Sequence, residues 1–539
     1  MAFSALRGAP APLRGAPAPL RGRSAPALLC LLGAAALLVL PAAPGAAGTA
    51  PLATSTPGDA PPAPSPGEVD AVVEEYRRAT GLPGAAVVLT RGTEVVHARG
   101  YGTTPGGAAV TEHTPMAVAS LSKSVTALAV LQLAEEGELD LDDPVREHLP
   151  EFTMADPRAE RITVRQLLDQ TSGMSDTEFA SYSRGRDTLT LRESVADLRG
   201  ARLVAEPGTR WEYHNPNFQV AARLVEVVGG RPFADHLEAR VFSPLGMEDS
   251  TTVDTDLDLP SGARGHVSVL GRAFPADEPP GFGNGSGGVV GTAADMGAWL
   301  VAHTGGGLGP DGVRILSEEG VRALHTPSAA SGSYALGWSL GETASGSRVV
   351  EHGGDLLTAT AHQALLPDSG YGVAVMANTG SSWGGAHPLA SALVELVDTG
   401  SAPGPPTGAG PVAVDAVLLA AGAAAVPLAW RGVRRSRDWA LAREGGPRWA
   451  VAARLLPYAG PPLLLAVLHE VVGWLFRGRD VAWFQVPYLF TSFWSALAVV
   501  ALACAVVVSA RAVRLAALRR RTRGGGAAGR AEGEAASAG

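Results

Sequence analysis

Residues 116–136 read MAVASLSKSVTALAVLQLAEE, an apolar run with helical spacing that carries Ser120 and Lys123 three residues apart near its start. At that spacing two side chains lie on neighbouring turns of one helix face, about 5–6 Å apart at Cβ, so the amine can reach the hydroxyl. Serine is a weak nucleophile until a base removes its proton, and a lysine desolvated in a pocket can be neutral at working pH. A helix N-terminus also favours negative charge developing beside it. Arginine cannot be that base, because its guanidinium stays protonated. Composition gives the pair its weight: of 43 cations, 42 are arginine and Lys123 is the sole lysine. A chain that uses arginine wherever it needs a cation has put its one lysine where arginine would fail.

Outward from this segment, residues 68–80 alternate in helical fashion, and residues 84–90 and 94–101 read as strands joined at Arg91-Gly92. Far downstream, residues 347–351, 358–366 and 371–378 read as three more strands, followed by a helix over 388–397. Helical patterns and Gly/Pro-rich loops fill the middle. Strands from both ends with helices between them predict an α+β fold: one antiparallel sheet closed by the termini, flanked by helices, with a helical insertion. Pro/Ala-rich and Pro/Gly-rich tethers at 48–66 and 399–410 bound this domain, 67–398.

The charge is divided. Residues 51–400 carry 23 cations and 45 anions (23 − 45 = −22), and the remaining 189 residues carry 20 and 7 (20 − 7 = +13). A block that acidic repels phosphate backbones, which excludes nucleic acid as a partner. At the N-terminus, Arg7, Arg14, Arg21 and Arg23 precede a fourteen-residue apolar run at 27–40 that ends in small residues around Ala43, Ala46 and Ala47, so 1–47 is expected to be a secretory signal. Apolar stretches at 411–430, 449–476 and 481–510 are each long enough to cross about 30 Å of hydrocarbon, so three transmembrane helices are expected over 411–510. Six arginines separate the first two stretches and seven lie in the tail 511–539, which places both in the cytoplasm and everything before Pro411 outside. The expectation is a multi-pass protein of the cell membrane, with the lipid bilayer as a partner and the acidic domain extracellular. Cys30 and Cys504 both fall in apolar segments, so that domain has neither a disulfide scaffold nor a cysteine nucleophile.

Two further motifs carry chemistry. Residues 207–217, PGTRWEYHNPN, hold Tyr213 and Asn215, a phenol able to relay protons and an amide able to bind a substrate carbonyl. Glu351-His352-Gly353-Gly354-Asp355 ends the first late strand, where small residues let a substrate backbone lie against the strand edge and an edge N–H can complete an oxyanion hole with that of Ser120. With their flanks (ITVRQLLDQTSGM at 162–174, SPLGM at 243–247, GSGGVVGTAADMGAWL at 285–300) these motifs run through about 330 residues in one order. The chain resembles the serine β-lactamase-like family, in the branch of class C β-lactamases, D-alanyl-D-alanine carboxypeptidases and related esterases. That resemblance implies the β-lactamase/transpeptidase-like fold and an acyl-enzyme mechanism. Ser120 attacks a carbonyl, Lys123 is the base, and Tyr213 moves protons to the leaving group and from the incoming water. Asn215, His352, Gly354 and Asp355 contact the substrate, with the N–H groups of Ser120 and Asp355 on the oxyanion. It implies no metal or cofactor. The substrate it implies is a small ester or amide, or a cell-wall-derived D-amino-acid peptide.

Two departures stand out. Where β-lactamases and carboxypeptidases carry Lys-Thr-Gly, this chain has His352-Gly353-Gly354, and a histidine is mostly neutral above about pH 6.5. The histidine often found before Thr-Ser-Gly is Gln170 here. A rival nucleophile elbow, Gly380-Ser381-Ser382-Trp383-Gly384, is followed by His387 and then by Glu395 and Asp398, the wrong order for that fold. A rival of another class is a catalytically idle receptor that binds peptidoglycan fragments. It gives no reason to keep the sole lysine beside Ser120.

Overall fold

The computed structural model describes residues 62–179, 187–380, 384–406, 409–475 and 480–537. The expected signal, most of the first tether, the Ser381–Ser382–Trp383 elbow and the turn between the last two apolar stretches lie outside these residues.

The α+β part opens with α1, Pro66–Thr80. Ser65 caps it by accepting from the Glu68 N–H while Glu68 reaches back to the Ser65 N–H at 2.7 Å, and Gly81 ends it in the left-handed conformation at φ 75°. Then come β1, Gly84–Arg91, and β2, Glu94–Gly102. After a helical middle that includes α2 (Ser122–Glu135), α3 (Pro216–Val228) and α4 (Ala293–Thr304), the chain returns to the sheet. It does so as β3 (Ser339–Glu342), β4 (Arg348–Asp355), β5 (Thr360–Leu366) and β6 (Tyr371–Ala377), and closes with α5, Ala386–Thr399. All pairs are antiparallel, in the order β2-β1-β6-β5-β4-β3.

The period-two alternation of the central strands divides the core. Ala85, Val87 and Leu89 of β1, with Val373 and Val375 of β6, pack under α1 and α5 beside Val73, Tyr76, Leu389 and Leu393. Ala86 and Val88, with Ala374 and Met376, face the opposite layer, which holds Leu128 of α2, Phe218 of α3 and Trp299 of α4. Burying each such side chain stabilises the fold by about 1.5–3 kcal/mol before entropy is counted. Two short sheets escaped the sequence reading: Met116–Ala117, Val289–Gly291 and Thr251–Thr252 pair together, and Gly265–Val269 pairs with Arg272–Ala276. Pairs of two or three residues carry too little alternation to be seen in a sequence window.

One expectation is corrected, and another is met in part. Residues 116–136 are not one helix. Met116–Ala117 is strand, Ala119–Leu121 is a 3₁₀ turn, and the α-helix begins at Ser122, because Ala119 takes a left-handed φ of 50° that breaks the helical path. Of the three apolar stretches, Ala409–Arg434 and Thr491–Thr522 are helices long and apolar enough to cross a membrane. The middle one is broken into Arg448–Ala466 and Leu468–Leu475, bent by 62°, so it makes a third crossing only if both arms are taken as one span.

Candidate active site

Ser120 lies in the 3₁₀ turn Ala119–Leu121, one residue after the strained Ala119 and two before α2. Left-handed backbone at a residue with a Cβ costs about 1–2 kcal/mol, and it is kept here by bonds on both sides. Ser122 Oγ donates to Ala119 O at 2.6 Å and accepts from Val289 N at 2.9 Å. The turn aims Ser120 Oγ at two groups: Lys123 Nζ at 3.1 Å and the Tyr213 hydroxyl, which donates to it at 2.9 Å. Lys123 is 0% exposed. Its Nζ donates to Ser286 O at 2.6 Å and lies 4.9 Å from the Tyr213 ring centre.

Tyr213 stands in the loop before α3, whose N-terminal flank is Asn215. Sequence reasoning gave Gln170 no task, and the structure supplies one. At 0% exposure and a left-handed φ of 63°, Gln170 accepts at its side-chain Oε1 from His214 N at 3.0 Å and from Asn217 Nδ2 at 2.5 Å. Its own backbone carbonyl accepts from Glu212 N at 2.9 Å. One glutamine therefore fastens the backbone on both sides of Tyr213 and, through Asn217, the start of the helix that Asn215 precedes.

The third wall is the end of β4. A Cβ on Gly354 would stand 2.4 Å from Val118 O and 3.0 Å from the Ala119 Cβ, so only glycine lets this strand lie against the nucleophile turn. His352 is buried beside it. Its Nδ1 is 2.6 Å from Gly353 O, which can only accept, so Nδ1 carries the proton and Nε2 receives the Tyr334 hydroxyl at 3.1 Å. Burial, and then the charge of Lys123, push the His352 pKa down to about 3. The ring is neutral over the whole working range, more so than the sequence alone implied. Trp211, 41% exposed, lies with its ring centre 6.0 Å from that of Tyr334 and 6.5 Å from that of Tyr213. Together the rings make an uncharged aromatic border to the site.

The structure thus brings Ser120, Lys123, Tyr213, His352 and Gly354 together, with Asn215 two residues from Tyr213 and Asp355 next to Gly354. Sequence reasoning missed Gln170, Ser286 and Tyr334. The GSGG run marked the loop of Ser286, but no local pattern marked Tyr334. Among the described residues no group of three or more His, Cys, Asp or Glu side chains is placed to hold a metal ion.

Comparison with known proteins identifies the family. The chain is 27% identical over 326 residues to Protein flp of Staphylococcus aureus (strain MW2), an overlap that covers 59% of this chain and 64% of that protein. It therefore spans less than two thirds of that relative's length. It is 34% identical over 217 residues to Penicillin-binding protein 4 of Amycolatopsis lactamdurans, covering 39% of this chain and 56% of that one. Its fold superposes on a D-stereospecific amidohydrolase from Streptomyces sp. with a TM-score of 0.51 at 27% identity, covering 62% of this chain and 99% of the other. The Beta-lactamase family profile matches residues 69–396, which is more than half of the chain. By that match, the chain belongs to the Beta-lactamase family.

Proposed function

We propose that this chain is a membrane-anchored serine hydrolase, with its hydrolase domain outside the cell, that forms an acyl-enzyme at Ser120 from an ester or amide uncharged where it meets His352. One observation carries the reading: Ser120 Oγ lies within hydrogen-bond reach of both a fully buried lysine and a tyrosine hydroxyl. Lys123 in its neutral form takes the Ser120 proton while donating to Ser286 O, which directs its lone pair at Oγ. The Oγ–carbonyl bond then forms, the N–H groups of Ser120 and Asp355 hold the oxyanion, and Tyr213 passes the proton to the leaving group. Water reverses the path and frees Ser120. Asn215 contacts the substrate amide, and Gly354 lets β4 lie against the Ser120 turn.

The neutral His352 and the aromatic border of Trp211, Tyr213 and Tyr334 favour an apolar group over a free carboxylate. The likeness to a D-stereospecific amidohydrolase and to a penicillin-binding protein supports D-amino-acid amides and cell-wall D-amino-acid peptides as substrate classes to try. The apolar helices Ala409–Arg434 and Thr491–Thr522, with arginines between and after the apolar stretches, support the anchoring and its orientation.

The test is labelling of the full chain, in detergent micelles, with a fluorophosphonate. Mass spectrometry is expected to find the adduct on Ser120, and an adduct on Ser382, or none, overturns the proposal. Turnover of nitrocefin, D-Ala-D-Ala peptides, D-amino-acid amides and short-chain esters then ranks the substrates. Strong nitrocefin turnover would contradict the reading of His352.

A further inference from the structure

Behind β4, on the face away from Ser120, lies a chain of four titratable side chains that the mechanism does not use. Glu351 Oε2 is 3.0 Å from His362 Nε2, His362 Nδ1 is 3.0 Å from His387 Nδ1, and His387 Nε2 is 3.0 Å from Asp355 Oδ1. The proton count follows from which atoms can accept. An ionised carboxylate only accepts, so each Nε2 must carry a proton. If both rings were neutral, the two Nδ1 atoms would face each other as lone pairs at 3.0 Å, a repulsive contact. If both were doubly protonated, two N–H groups would collide. Only three protons on the four nitrogens satisfy every contact, with one proton between the Nδ1 atoms and a single positive charge on the pair.

The place of this pair matters for the site. Side chains of successive strand residues point to opposite faces. Gly354 faces the nucleophile turn, and its neighbour Gly353 faces the histidines: a Cβ on Gly353 would stand 2.3 Å from His387 Cε1. The end of β4 is therefore held between the Ser120 turn in front and the His387 ring behind, and His387 also grips Asp355 directly.

We propose that His362 and His387 share one proton between their Nδ1 atoms, and that this bond makes them positioning residues that press Gly353–Asp355 against the Ser120 turn. The positioning half rests on the functional reading above, in which the Asp355 N–H meets the oxyanion. The titratable groups around the pair are Glu351 and Asp355 on β4, His352 on the same strand and Lys123 on α2 beyond it. Tyr76 of α1 bonds the backbone at Gly385, two residues before His387. Asp355, then Glu351, raise the His387 pKa against the opposing effect of burial, and His362 holds the Glu351 carboxyl below its usual range. The bond is lost as pH rises through the raised His387 value, and it is lost as well on acidification once both rings carry two protons.

Two measurements on the full chain in detergent micelles test this. The first is NMR of the ¹⁵N-histidine-labelled protein. It should show one strongly deshielded exchangeable imidazole proton, absent from both His362→Gln and His387→Gln. Two imidazoles titrating independently, with no such proton, would overturn the shared proton without any variant having to fold. The second is the pH profile of Ser120 labelling by a fluorophosphonate. His387→Gln keeps a nitrogen near Asp355 but cannot bond His362. It should label about 10- to 100-fold more slowly at neutral pH, the scale of a small misplacement, and lack the alkaline fall that the proposal expects of the wild type. An unchanged profile would overturn the positioning role. If Ser120 is not labelled at any pH while the shared proton is seen, the hydrolase reading and the positioning role fail together and the proton pair stands.

Discussion

The two faces of the β4 end show how one strand serves two opposite electrostatic designs. In front, His352 is buried beside the cationic Lys123. Burial then decides, and His352 is driven neutral, to about 3. Behind, His362 and His387 are bracketed by Glu351 and Asp355, and these carboxylates raise the His387 pKa against burial. A third region sharpens the contrast. His303 and His325 also meet nitrogen to nitrogen, at 3.1 Å, but among Trp299 and Trp338, and both pKa values are pushed down, that of His325 to about 4. The ring centres are 5.2 Å apart in both pairs, edge-on at 78° behind β4 and inclined at 30° between His303 and His325. The neighbouring acids decide the charge.

Four substitutions break or sharpen this comparison, and the largest effect belongs to the front face. Lys123→Arg keeps a cation but removes a group able to lose its proton, so turnover of an activated ester should fall about 10²–10⁴-fold. Retained turnover in the full chain would sink the mechanism. Next, Gly354→Ala drives a Cβ into Val118 O, a backbone atom that cannot step aside. Acylation should slow about 100-fold, and stability should fall by about 1–3 kcal/mol in denaturant unfolding. Gly353→Ala collides with the His387 ring, which can rotate away, so we expect about a 10-fold slower acylation, a smaller loss of stability, and loss of the deshielded imidazole proton. Equal effects at the two glycines would erase the distinction between the faces.

The smallest effect concerns His352 and shows in pH dependence. A histidine whose folded pKa is lowered binds its proton more readily unfolded, so its contribution to stability is complete above the ordinary value of about 6.5 and is lost on acidification towards 3. His352→Gln should therefore flatten the acid side of the unfolding midpoint against pH and leave the neutral side nearly unchanged. A His352 Cε1 resonance that titrates near pH 6.5 in the folded wild type would refute its neutrality.

Much of this was legible in the chain. The sheet strands from both ends, the Ser120–Lys123 pair and the Tyr213 and His352 motifs could be read because each is local: an alternation, a three-residue spacing, a short run around a turn. The helix start near Ser120 was misread because the left-handed Ala119 is imposed by Ser122 and Val289, which are joined only in the folded chain. Gln170 gave only a departure from an expected pattern. Its work lies in bonds to His214 and Asn217, more than forty residues away.

By itself the sequence determined the chemistry available. With a single lysine, only Lys123 can be a lysine base, and no second lysine remains for a carboxylate at the His352 position. The acidic block and its arginine-rich ends likewise need no fold to be counted. Only the tertiary structure decided protonation and fit: which imidazoles are neutral, which pair holds a proton, and why Gly354 must lack a side chain. These depend on desolvation and on distances of about 3 Å between groups far apart in the chain, and a linear order of residues does not contain such distances.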